Sequence, residues 1–91
     1  MTNNQVVIEL FVQGQSPQSN VALEHVRRVC DTELDGQYSL EVIDINQHTN
    51  RAIQAGVIAT PTLVRRRPEP ILRTTGRLNN ERVRQGLGLD E

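Results

Sequence analysis

The run Val6-Val7-Ile8-Glu9-Leu10-Phe11-Val12 constrains this chain more than any other stretch. It is rich in β-branched and aromatic residues and almost continuously apolar, so as a strand it must be covered on both faces. We read a central strand over Gln5 to Val12. The text that follows, GQSPQS at residues 14 to 19, ends it and starts a helix. Ser16 is placed to cap that helix and Pro17 to open it, where a missing N–H costs nothing. Ala22, Leu23, Val26, Val29, Cys30 and Leu34 then supply a helical apolar stripe, and Gly36 ends it.

Leu40, Val42 and Ile45, interleaved with Ser39, Glu41 and Asp44, read as a second strand. Strand, long crossover and strand imply a parallel, right-handed βαβ unit. Thr49 to Ala55 reads as a short helix stopped by Gly56. Pro61 cannot donate to a ladder and suits only the start of a strand, so the third strand is set at Thr62–Arg66. Arg67-Pro68-Glu69-Pro70 turns the chain into a fourth strand, Ile71–Thr75, and Gly76 closes the hairpin. Asn79 caps a last helix, with Leu78 and Val83 as a hydrophobic staple, and Gly86 and Gly88 fray its end. A short acidic terminus, Asp90-Glu91, follows. The resulting order, βαβαββα in a single α/β domain over residues 1–91, is that of a thioredoxin-like fold.

Several function classes are disfavoured by content alone. With 91 residues, 36% hydrophobic and one Phe and one Tyr, the core must be aliphatic. A formal charge of −1 gives no general pull toward nucleic acid or anionic lipid, and the absence of Trp removes a stacking platform. All ten basic residues are Arg, whose planar fork suits carboxylate and phosphate partners better than Lys would. Cys30 is the only cysteine, which excludes an intrachain disulfide and points to a reducing, cytoplasmic setting. The N-terminal MTNNQ lacks signal-peptide character, and no apolar stretch approaches a membrane span.

Candidate chemistry is equally thin. Ser16-x-x-Ser19 has the spacing of a redox dithiol, but serine supplies neither a disulfide nor a low-pKa thiolate. Cys30 sits on the apolar stripe, with His25 off its face, and reads as a small buried hydrophobe. His25 and His48 have no partners at metal spacing, and Asp44 reads as a polar cap at a strand end. No catalytic residue, cofactor or metal is expected. Arg65, Arg66 and Arg67, with Arg73 and Arg77, form one basic cluster. Alternation puts Arg65 and Arg67 on a common face, either as a charged, protected sheet edge or as a surface for an acidic partner.

Four stretches, Leu10-Phe11-Val12-Gln13-Gly14-Gln15-Ser16-Pro17, Leu40-Glu41-Val42-Ile43-Asp44, Ala59-Thr60-Pro61-Thr62-Leu63 and Gly76-Arg77-Leu78, together resemble the KaiB family of circadian-clock proteins. There the signatures read L-Y-V-A-G-x-T-P, L-x-V-I-D, A-T-P-T-L and G-D-L, in this order and at nearly matching separations over residues 6 to 89. The resemblance implies a non-enzymatic regulator that binds the ring of a KaiC-like hexameric ATPase, with a KaiA-like protein or a histidine kinase as further partners. It also implies two states sharing an N-terminal βαβ: a monomeric thioredoxin-like one, and a tetrameric one with a rearranged C-terminal half. By resemblance the contact face includes Glu9, Phe11, Gln13, Val21, Glu41 and Gly56, and the Thr60–Pro61 bond is cis.

Departures from the signatures accompany it. Arg77 stands where Asp usually follows the glycine, and Gly88 falls where Asp is frequent. Glu9, Glu41 and Gly56 occupy positions that are often Lys, so the charge of the contact face is expected to be reversed. Arg77, Gly86 and Gly88 are candidate determinants of which state is populated. Local propensity favours the thioredoxin-like state, because helix over Leu63–Arg66 would oppose β-branched preference just ahead of two prolines. The alternative function is a diverged adaptor or sensor-type domain that binds a histidine kinase or another signalling protein. A thiol enzyme would have to work through Cys30.

Overall fold

The computed structural model describes residues 5–89, so both the N-terminal MTNN and the acidic Asp90-Glu91 lie outside the described residues. The elements are β1 (Val6–Val12), α1 (Pro17–Glu33), β2 (Tyr38–Asp44), α2 (Thr49–Gln54), β3 (Thr62–Arg67), β4 (Leu72–Thr75) and α3 (Asn80–Gly86). This is the βαβαββα order expected from the sequence. Thr62–Arg67 is strand and Asn80–Gly86 is helix, so the C-terminal half has the thioredoxin-like arrangement and not the rearranged one.

The four strands form one sheet in the order β2-β1-β3-β4. β1 pairs in parallel with β2 and antiparallel with β3, which makes it an interior strand and explains its nearly continuous apolarity. Its odd and even residues feed two separate cores. Ile8, Leu10 and Val12 pack with Val26, Val29 and Cys30 of α1, Leu63 of β3, and Leu78, Val83 and Leu87 around α3. On the opposite face Phe11 joins Ile43, Val64 and the α2 residues Ala52 and Ala55. Phe11 is fully buried, a contribution of about 1.5–3 kcal/mol to folding.

The helix starts are built as read. The Ser16 Oγ accepts from the Ser19 amide at 3.1 Å with Ser16 extended, and Pro17 occupies the first helical turn. The Asn79 Oδ1 accepts from the Arg82 amide at 2.8 Å, while Leu78 and Val83, both buried, form the staple beside it. The Thr60–Pro61 peptide is cis.

Three details differ from expectation. Val42 remains 42% exposed because β2 is the sheet's outer strand beyond β1, and the buried residue of that segment is Ile43. Gly86 does not fray α3 but is buried within it: a Cβ there would lie 2.6 Å from Thr74 Oγ1 and 3.3 Å from a Leu63 methyl. Only glycine lets the helix approach the hairpin this closely. Lastly, the register shifts between Val7 and Ile8, so Arg65 lies opposite Ile8 and Arg67 opposite Val7, on different faces of β1.

Candidate functional site

Parallel pairing sets Glu9 of β1 directly opposite Glu41 of β2, on the sheet face that α2 covers. Two like charges across a ladder repel unless something neutralises them. Arg51, carried by α2, does so. Its Nη2 donates to Glu9 Oε2 at 2.9 Å, and its Nη1 and Nη2 donate to Glu41 Oε2 and Oε1 at 2.6 and 2.9 Å. From the other side Arg66 Nε donates to Glu9 Oε1 at 2.8 Å. The chain Glu41–Arg51–Glu9–Arg66 therefore holds two carboxylates and two guanidiniums. The charge reversal expected from Glu9 and Glu41 is compensated within the protein.

The Arg51 guanidinium beside Glu41 holds that carboxyl below its ordinary value, and Glu41 in turn raises Arg51 above its own. Glu9 is mostly covered, with its side chain 12% exposed against 57% for Glu41, so Glu9 supports the surface and Glu41 presents it. Gly56 follows α2 with φ of +74°, and a Cβ there would lie 3.7 Å from the Arg73 guanidinium carbon; Arg73 Nε donates to Ala55 O at 2.6 Å. Ile53 on α2 is 68% exposed. An exposed aliphatic side chain on the helix that carries a paired cation is suited to protein contact.

The residues expected on one contact face are thus divided. Glu9, Glu41 and Gly56 share the α2 side of the sheet. Gln13 is exposed just past the end of β1, and Val21 is half-exposed on α1, whose buried residues pack on the opposite sheet face. Two assignments are corrected. Phe11 has no exposed surface and cannot touch a partner. Arg65 is only 8% exposed, and its Nη1 and Nη2 donate to Leu87 O and Pro70 O, both at 2.9 Å, so it braces α3 against the hairpin. Neither a solvated edge nor a partner surface describes it; Arg67 alone of that pair is exposed.

Sequence reasoning passed over Arg51 and Ile53. Ile53 was legible: Ala52 and Ala55, three apart, define the buried stripe of α2, and Ile53 lies off it. Arg51 was not, since its partner Glu9 is 42 residues away.

The remaining polar candidates are occupied structurally. Asp44 accepts from the Gly14 and Asn46 amides and fastens the loop after β1 to that after β2. His25 Nδ1 lies 2.6 Å from Asn80 Oδ1, linking α1 to α3. Cys30 is buried, and desolvation first, then Asp31, pushes its thiol up to about 12, against a smaller opposing effect of Arg27. Such a thiol is unreactive at neutral pH. Among the described residues no group of three or more His, Cys, Asp or Glu could hold a metal ion, and no helix is long and apolar enough to cross a membrane. One cleft of about 280 Å³ opens where the start of α1 meets the loops before β3 and α3, with Val21, Thr60, Pro61 and Arg77 on its walls.

Residues 9–89 match the KaiB domain family. The circadian clock protein KaiB3 of Synechocystis sp. is 34% identical over 90 residues, covering 98% of this chain and 88% of its own length. The circadian clock oscillator protein KaiB of a Synechococcus sp. is 39% identical over 84 residues, covering 91% of this chain and 71% of its own. In solved structures, the N-terminal domain of Synechococcus elongatus SasA superposes with a TM-score of 0.81 at 21% identity, covering all of this chain and 90% of that one. Chloroplastic thioredoxin z superposes with a TM-score of 0.73 at 20% identity, over 94% of this chain and 78% of that one. These two likenesses establish the thioredoxin-like fold.

Proposed function

This chain belongs to the KaiB family, and from that premise we propose that it is a non-enzymatic regulator that docks as a monomer on a KaiC-like hexameric ATPase. KaiB3 of Synechocystis sp. and KaiB of Synechococcus sp. are circadian clock proteins, and the family match across residues 9–89 is the observation that carries the reading. The docking surface is the α2 face: Ile53 as the apolar contact, Glu41 and Arg51 as the charged rim, and Gly56 and Gln13 at its margins.

The charge arrangement supports that choice. Interfaces seat an apolar centre inside a polar rim, and rim charges set orientation and association rate. Because Arg51 pairs with both Glu41 and Glu9, and Arg66 with Glu9, these four charges are compensated within the surface before any partner desolvates them. Catalysis has no support from the site: the serines replace a dithiol, and Cys30 is buried without a base.

The test is co-elution of the purified chain with a KaiC-like hexamer, with and without nucleotide, alongside Ile53→Asp. Association that this substitution abolishes, with the far-UV spectrum unchanged, is the expected result. Absence of association under every nucleotide condition would refute the reading and favour the adaptor that binds a histidine kinase or another signalling protein.

A further inference from the structure

The cleft between α1 and the Thr60–Pro61 loop has no part in the α2 face. Val21 and Ala22 belong to the helix that covers the other side of the sheet, and Leu78 anchors the α1–α3 core. Val21 is 50% exposed here, and Ile58, two residues upstream of Thr60 in the same loop, is 95% exposed. Ile58 is the most solvent-accessible of the exposed large hydrophobic residues.

Two polar features accompany this apolar surface. Pro61 O accepts from the Gly76 amide and the Thr62 hydroxyl donates to Ala59 O, which fixes the loop on both sides of Thr60. The Thr60 amide and carbonyl themselves make no hydrogen bond within the described residues. A free donor and a free acceptor on one held residue are what an extended segment uses to form a paired contact. The second feature is Arg77, exposed on the cleft wall with no ion pair or hydrogen bond among the described residues, none of whose carboxylates lines the cleft. Its guanidinium is available for a planar, bidentate carboxylate.

We propose that this cleft binds an extended peptide segment carrying an aliphatic side chain next to a carboxylate. The segment pairs with the Thr60 backbone, its aliphatic side chain covers Val21, and its carboxylate meets Arg77. The site lies apart from Arg51 and Ile53, so a peptide here and a partner on α2 can be held together. This inference does not depend on the identity of the α2 partner.

The test titrates the isotopically labelled full chain with a short peptide alternating Leu and Asp, and separately with its Leu and Lys counterpart. Saturable amide shifts at Val21, Thr60 and Arg77, with α2 unmoved, are expected for the acidic peptide only. Arg77→Gln should weaken that binding about tenfold, the scale of one charge-assisted hydrogen bond. Arg67→Gln, also exposed but outside the cleft, should leave it unchanged. Equal binding of the Lys peptide, shifts centred on Arg51 and Ile53, insensitivity to Arg77→Gln, or no saturable binding would each overturn the proposal.

Discussion

Replacing Arg65 by Met separates two effects that the structure sets against each other. Met matches the length of the arginine stem but offers no donors. It removes two charge-assisted bonds, to Leu87 O and Pro70 O, each of which contributes about 1.5–3 kcal/mol. It also relieves the desolvation of a guanidinium that is 8% exposed and whose Nε has no partner, an orphan that costs about 1–3 kcal/mol. Pro70 is exposed, so water can take over its carbonyl, whereas Leu87 is buried and its carbonyl at the end of α3 is left unmet. The balance is a destabilisation of about 2 kcal/mol, which for a domain of this size lowers Tm by roughly 10 °C. Urea unfolding followed by far-UV circular dichroism measures it, with Arg67→Met as an exposed neighbour expected to stay within about 0.5 kcal/mol. Faster amide exchange at Gly88 and Leu89 should accompany the loss. Equal or greater stability of Arg65→Met would show that desolvation outweighs the two bonds, and the bracing role would fall.

Gly88→Ala should also destabilise, by about 2–3 kcal/mol, because φ of +73° strains an L-residue and the new Cβ would lie 2.5 Å from Arg65 Nη1. Combined with Arg65→Met its cost should shrink in chemical denaturation, since one of its two causes is gone; strict additivity would contradict the contact. Cys30 should react with a thiol reagent at neutral pH only as fast as the fold opens, and at once in denaturant. With its thiol raised from 9.0 to about 12, the folded state keeps its proton where the unfolded state loses it, so stability should fall as pH rises above 9.0. Glu41 has the opposite sign. Arg51 depresses it from an ordinary 4.5, so its contribution is present above that value and disappears as pH falls through the lower folded value. Acid titration of stability should therefore be less steep for Glu41→Gln than for the parent chain, and identical slopes would deny the pair any energetic role.

What could be read in the sequence was local. The run of β1, the Ser16-Pro17 start of α1, and the Leu78, Asn79 and Val83 arrangement around α3 each carry their signal within a few residues. The proline that opens β3 and the turn at Arg67–Pro70 do the same. Burial that depends on pairing was not legible in this way. Arg65 reads as a surface charge until its pairing opposite Ile8 of β1 places it on the face covered by α3, and Phe11 reads as contact surface until α2 is laid over it. Val42 looks like core in an alternating strand, yet β2 has a neighbour on one side only. Of the candidate face, Glu9, Glu41 and Gly56 were named from resemblance. The ion chain that makes Glu9 and Glu41 compatible across a parallel ladder depends on Arg51 and Arg66, brought in from other elements.

Binding of a KaiC-like hexamer, mapped on the isotopically labelled chain by residue-specific amide and side-chain methyl signals, tests the central claim most directly. The account expects selective broadening at Glu41, Arg51, Ile53 and Gly56, with the strands Thr62–Arg67 and Leu72–Thr75 retaining their signals. Selective broadening at a surface away from α2, a C-terminal half that turns from strand to helix on binding, or no interaction at all would contradict it.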